Sequence, residues 1–307
     1  MRRALALLAL ALALGLAGCG LGAGDKQPGG VELRVTRDFG ERLIGSTRRD
    51  GVRDGETVMR LLRSSQREVQ TRYGGRFVQS IGGLSGRGPQ GRRDWFFFVN
   101  GIESEMGAAE YGLHEGDRVQ WDYRDWRATM TVPAIVGAFP HPLVRGVEGK
   151  RFPVRIECED EGGAPCREVK RRLGEVGVAT SSSAFGADAT RNVLRVIVAR
   201  WPKARTVQAV GRLTGKPDES GVFARFKGDR LRLLGEDGET GRDAAPGTGL
   251  VAALRPGPEQ LLWVVTAGDE PGLQRAAESL SERTLRDAFA LAATPEGPRR
   301  LPLRGGR

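Results

Sequence analysis

From Val31 onward apolar and polar side chains alternate. In VELRVTR, Val31, Leu33 and Val35 fall on one side and polar or charged residues on the other, the period-two pattern of a strand with one covered face. After the turn Asp38-Phe39-Gly40, ERLIGSTR offers a second strand. In DGETVMRLLRSS the period lengthens: Val58, Leu61 and Leu62 stand at i, i+3 and i+4, one stripe of a helix that Asp54 is placed to cap. RFVQSIGGL and DWFFFVNG return to strand character, and Asn100-Gly101 suits a tight turn that needs positive φ. LHEGDRVQWDY follows, with a turn at Gly116-Asp117. Its strand puts Val119, Trp121 and Tyr123 on one face and leaves Gln120, Asp122 and Arg124 pointing outward.

A hairpin, one helix and then several strands predict a mixed sheet with a single helix on one face, a β-grasp-like α+β domain over residues 31–128. The aromatic strand is expected at its middle. Trp95, Phe97 and Val99 then share one face, and Phe96 and Phe98 the other. A buried aromatic side chain is worth roughly 1.5–3 kcal/mol, so neither face is left in water cheaply. The Val58/Leu62 helix covers one. The other needs a cover, and Trp95, Phe96, Phe98, Tyr111 and Trp126 are the candidate residues of an aromatic face that meets either a ligand or the second domain.

Residues 129–150, interrupted by Pro133, Pro140 and Pro142, are expected as a linker. Beyond them strands and helices alternate. FPVRIEC, NVLRVIVARW, GVFARF, RLRLLG, GLVAALRP, QLLWVVTA and AFALAAT are strand candidates. PCREVKRRLGEVG, ARTVQAVGRL and DEPGLQRAAESL are helical. This pattern predicts an α/β domain with a mixed sheet over residues 151–294, ending in a basic tail at 295–307.

The N-terminus changes the setting. Arg2 and Arg3 precede an Ala/Leu/Gly run from Ala4 to Leu16, too short for the roughly 20 residues of a membrane span. Leu16-Ala17-Gly18-Cys19 resembles a bacterial lipobox. The resemblance implies a signal peptide over 1–19 and diacylation of Cys19. It also implies a mature chain anchored on the outer face of the cell membrane, with residues 20–30 as a flexible Gly-rich tether. Outside the cytosol the remaining Cys158 and Cys166 favour a disulfide, with free thiols or half of a metal site as alternatives. The net charge of +10 is carried mostly by arginine. It is spread along the chain with both signs interleaved, which argues against a nucleic-acid reader and allows attraction to anionic lipid or wall polymer.

The first domain also resembles a family. Gly55-Glu56-Thr57-Val58 opening a helix, Trp95 with Val99-Asn100-Gly101, Gly107 to Tyr111, and Gly116-Asp117 followed by Val119, Trp121 and Tyr123 resemble the transcobalamin C-terminal-like β-grasp domain of bacterial surface proteins. The resemblance covers residues 31–126. It implies the β-grasp fold and, as a ligand, a corrinoid such as cobalamin handed to an importer. The helical toroid of the vertebrate carriers has no counterpart in this chain, and His114 lies in a turn with no place in cobalt coordination.

Catalytic motifs do not assemble. GRGPQG (Gly86–Gly91) precedes a strand when a phosphate-cradling loop must open a helix. GRLTGK (Gly211–Lys216) has a short spacing and Pro217 where a P-loop needs Ser or Thr. The serines of TSSSAFG lie outside any G-x-S-x-G elbow, and a triad would depend on His114 or His141. The sequence therefore predicts a non-enzymatic extracytoplasmic lipoprotein without a resident cofactor or metal, acting as a ligand-binding module. Its alternative is a structural envelope protein contacting wall polymer or another envelope protein.

Overall fold

The computed structural model describes residues 29–66, 68–75, 77–86, 91–187 and 192–306. The signal peptide and Cys19 lie outside the described residues, as do most of the tether and most of the Gly86–Gly91 motif.

β1 (Val31–Arg37) and β2 (Arg42–Arg49) form the expected hairpin, and α1 (Val58–Ser65) follows. α1 is capped by Thr57, whose hydroxyl accepts from the Arg60 amide at 3.2 Å. Asp54, the expected cap, lies in the preceding turn, too far upstream to reach the first free amides of the helix. β3 (Gln70–Arg72), β4 (Phe77–Ile81) and β5 (Leu84–Ser85) make a small separate sheet. β6 (Arg93–Val99) carries the aromatic run, and the turn Asn100-Gly101, with φ of 53° and 80°, leads into β7 (Ile102–Glu103). β8 (Arg118–Asp125) completes a five-stranded sheet of order β2-β1-β8-β6-β7.

β8 pairs parallel with β1 and antiparallel with β6, so it is the middle strand. The aromatic strand expected there sits one place nearer the edge, with only the two-residue β7 outside it. One face packs on α1: Leu33, Val58, Leu61, Leu62, Trp95, Val99, Val119 and Trp121 belong to one buried cluster. The sheet is mixed and carries a single helix, as the periodicity predicts.

The second unit is built on β9 (Val154–Cys158), β10 (Thr180–Ser182), β11 (Val193–Arg200), β15 (Gly249–Gly257), β16 (Gln260–Ala267), β17 (Ala290–Thr294) and β18 (Gly297–Leu301). Their order is β10-β9-β11-β16-β15-β17-β18. The first four in that order run parallel and the remaining pairings are antiparallel. α2 (Ala164–Glu175) and α6 (Glu270–Glu278) bury Val169, Leu173, Leu273 and Ala276 against one face. Cys158 at the end of β9 and Cys166 in the first turn of α2 form a disulfide with Cα atoms 6.0 Å apart.

The opposite face is covered by three short helices, α3 (Trp201–Ala204), α4 (Gln208–Gly211) and α5 (Pro217–Ser220), and by an outlying sheet. That sheet comprises β12 (Ala224–Lys227), β13 (Arg230–Leu234) and β14 (Gly241–Asp243). The single helix expected in ARTVQAVGRL is broken at Val207, whose extended backbone (ψ 114°) separates α3 from α4. A last short helix, α7 (Glu282–Leu285), precedes β17.

Two segments differ in character from their expected roles. In residues 129–150 the prolines stop regular elements but not burial. Val132, Ile135, Val136 and Phe139 are all within the core, and Ile135 and Val136 donate to the carbonyls of Gly101 in the first unit and Phe289 in the second. The expected basic tail contains β18, whose Leu301 is buried while Arg299 points to solvent.

Candidate functional site

Strand register decides what faces the second unit. On β6 and β8, Phe96 lies opposite Asp122 and Phe98 opposite Gln120, while Trp95, Phe97 and Val99 lie opposite Tyr123, Trp121 and Val119. Gln120, Asp122 and Arg124 therefore share a face with the second aromatic pair. Expected to point outward, they are instead 6%, 0% and 0% exposed. The cover that Phe96 and Phe98 demand takes their polar neighbours with it.

The buried polar groups of this face find partners, Arg124 Nε excepted. The Asp122 carboxylate accepts from Thr36 Oγ1 at 2.7 Å and from the amides of Phe39 and Gly40 at 3.0 and 2.9 Å. Asp38, Phe39 and Gly40 all have positive φ (58°, 59° and 78°), and this curls two amides around the anion as a backbone nest. Burial still pushes the Asp122 carboxyl up from its ordinary value. Arg124 donates to the carbonyls of Thr129 and Met130 at 3.0 and 2.7 Å, and its guanidinium lies 3.8 Å over the Phe96 ring centroid. Glu103 stands 3.8 Å from Arg124 and accepts from the Val132 amide at 2.6 Å. Burial outweighs that cation and raises the Glu103 carboxyl to about 7.

Around these charges the two units meet as protein interior. Phe289 of the second unit meets Phe98 and Phe39 edge-on at 5.4 and 5.2 Å, and Phe223 meets Phe39 at 4.9 Å. Ion pairs rim the contact: Arg34 holds Asp287 through two donors, Arg118 holds Glu282 at 2.8 Å, and Arg286 reaches Glu32 at 3.4 Å. Gly40 and Gly137 pass so close to Asp287 that a Cβ on either would collide with its backbone, at 1.8 and 2.7 Å. At the seam edge a cavity of about 30 Å³ is lined by His141, Arg118 and Arg145, room for about one water. Burial, then Arg118 and Arg145, hold the His141 imidazole down at about 3, neutral at physiological pH and too weakly basic to serve as a general base.

The sequence-predicted aromatic residues do not form one surface. Trp95 and Tyr111 are buried on the helix side, where Trp95 Nε1 donates to the Leu84 carbonyl at 3.0 Å. Phe96 and Phe98 line the seam. Trp126, past the end of β8, donates to Asp94 at 3.2 Å.

Concave surfaces lie instead on the second unit. A cleft of about 400 Å³ opens at the starting ends of β11 and β16, between apolar Val193, Val207, Leu261 and Leu262, with Arg195, Thr206, Gln208, Arg212 and Gln260 as polar lining. Arg195 is buried and held by Glu157 through two bonds of 2.6 and 2.8 Å, and Glu157 also accepts from the Gly186 amide. A second cleft, of about 370 Å³, lies over β12 and β13 and is lined by Arg225, Lys227, Arg230, Arg232 and Asp243. Its signal was present in the sequence: basic residues at every second position of ARFK and RLRLL, alternating with buried Phe226 and Leu231. A third, of about 300 Å³, lies at the carboxyl ends of the parallel strands, where α/β sheets commonly bind ligands. Its Arg200 is engaged by Glu159 at 2.8 Å.

Among the described residues no group of three or more His, Cys, Asp or Glu side chains is placed to hold a metal, and no helix is long and apolar enough to cross a membrane. No curated protein matches the chain. Residues 55–125, from the turn before α1 to the end of β8, match a family model described as a domain of unknown function (DUF4430). The chain thus carries a domain of that family, which is of the transcobalamin C-terminal-like type.

Proposed function

We propose that the chain is a non-enzymatic lipoprotein of the bacterial envelope, acylated at Cys19, held at the outer face of the cell membrane, and working as a ligand-binding module for an importer or other envelope protein. The observation that carries it is the cleft at the starts of β11 and β16. It combines apolar Val193, Val207 and Leu261 with Arg195, fixed in place by Glu157, and with a second cation, Arg212. Its size is that of a small-molecule site, and a few fixed polar groups among apolar ones are what orient a ligand. These features favour a small, partly apolar molecule carrying an anionic group. A corrinoid, the ligand implied by the family resemblance, needs a broad uncovered surface, and both faces of the Trp95–Phe98 strand are packed.

The test is thermal melting of the mature chain against a panel of short mono- and dicarboxylates, with equilibrium dialysis against cyanocobalamin in parallel. A saturable rise in Tm with one carboxylate, lost in Ala209→Trp, is expected. Saturable retention of cyanocobalamin without any carboxylate effect contradicts the small-ligand assignment. Response to neither contradicts ligand capture. Intact-mass measurement of the mature protein checks the acyl chains on Cys19. A second reading, a structural protein contacting wall polymer, is favoured by the cationic cleft over β12 and β13.

A further inference from the structure

The outer face of β12 and β13 concentrates more positive charge than the fold balances. In this antiparallel pair Arg225 stands directly opposite Arg232, and Lys227 directly opposite Arg230. Two consecutive like-charged cross-strand pairs oppose sheet formation, because directly opposed side chains are the closest neighbours a sheet provides. Asp243 on β14 brings one negative charge against these four, reaching Arg230 at 2.8 Å and Arg232 at 3.4 Å. Arg225 and Lys227 form no ion pair with any described residue. The inward residues of the same strands, Phe226, Leu231 and Leu233, are buried, so the strands are held by their other face, and the charge that Asp243 does not balance faces solvent or a partner.

Strand geometry sets the spacing of these charges: about 5 Å between neighbouring strands and about 7 Å between every second residue along one. The four cations form a small two-by-two lattice in a concave surface. We propose that this cleft binds a linear polyanion with phosphate groups in its backbone, a phosphodiester polymer of the cell envelope, an inference that rests on the second reading above. A single carboxylate would use one corner of the lattice. A chain of regularly spaced phosphates engages all of it, through contacts that are individually weak and screened by salt. An anionic bilayer fits less well, since membrane-docking surfaces set apolar side chains beside the basic ones, and none lines this cleft.

The experiment is titration of the mature chain with poly(glycerol phosphate), with polygalacturonate as an acidic polymer lacking phosphate, and with phosphatidylglycerol-containing vesicles. Expected is binding to poly(glycerol phosphate) that weakens steeply with added salt and falls about tenfold in the Arg225→Gln/Lys227→Gln double variant. That variant relieves two repulsions and so melts at or above the parent temperature, which separates lost binding from lost fold. Equal binding to polygalacturonate overturns the phosphate assignment and leaves polymer contact standing. Absence of binding to both polymers overturns both. Unchanged binding by the double variant, or tighter binding to vesicles, overturns the assignment of this cleft.

Discussion

Asp122 and Arg124 are charged, occupy strand positions that alternate with aromatics, and yet have no exposed surface. Period-two reasoning assigned their face to solvent because polar residues in a strand usually mark the wet side. What overrides it is the neighbouring strand. Register sets Asp122 beside Phe96 and Gln120 beside Phe98, so the face is apolar on one strand and polar on the next, and burial of the first forces burial of the second. Such burial holds only while the charged groups keep their partners. Glu103 makes this measurable. Its folded carboxyl is raised from 4.5 to about 7 by burial, so between those values the folded protein binds a proton that the unfolded chain has released. Its contribution is fully present below pH 4.5 and lost as pH rises through 7, on the order of 3 kcal/mol. His141 acts in the opposite sense: held at about 3, it contributes above pH 6.5 and loses that contribution as pH falls. Because the two ranges overlap, the difference between parent and Glu103→Gln isolates the carboxylate. Urea unfolding from pH 5 to 8 is expected to show the parent losing stability relative to the variant as pH rises, and parallel curves would contradict the placement of Glu103.

At the level of elements, segments whose pattern is local were legible. β1, β2, α1, β6 and β16 lie where the local pattern puts them, because their type can be read within each segment alone. Features set by distant partners were not. β8 takes the middle of its sheet by pairing parallel with β1, a contact across some eighty residues that no local pattern records. The break at Val207 arises because Val207, Val210 and Leu213 must all turn inward, which short helical pieces achieve. Cys158 and Cys166, by contrast, were legible as a pair, and the strand-to-helix turn between them brings them together. Turn chemistry gives the element-scale prediction. Gly40 combines a left-handed backbone with an approach to Asp287 that admits no Cβ. Gly40→Ala is therefore expected to cost about 2–4 kcal/mol by pushing the hairpin turn off the second unit. Chemical denaturation checks this, and a loss under about 0.5 kcal/mol would mean that the close approach is not formed.

For the molecule as a whole, the sequence identified the right need and left its answer open: a β-grasp-like sheet with an aromatic pair that its own helix does not cover. The cover is supplied by Phe39 within the first unit, by residues 129–139, and by Phe223 and Phe289 of the second, with Arg34–Asp287 and Arg118–Glu282 at the rim. The clefts of the second unit were less legible. The larger gathers residues from the chain between α3 and α4, the starts of β11 and β16, and Gly186, none of which signals the others in sequence. The cationic face over β12 and β13 needed only the alternation to be followed on its polar side. Function moves with this arrangement. If the aromatic face is interior, the proposed capture of ligand or polymer falls to the clefts of the second unit.

The most direct test of that central claim is thiol labelling of Phe98→Cys in the native protein, compared with Tyr73→Cys, whose position is 79% exposed. With Phe98 enclosed by the second unit, Phe98→Cys is expected to react only as fast as that variant unfolds globally, while Tyr73→Cys reacts at once. Labelling of both at the same rapid rate in folded protein would contradict the account, returning the aromatic face to solvent and to a ligand.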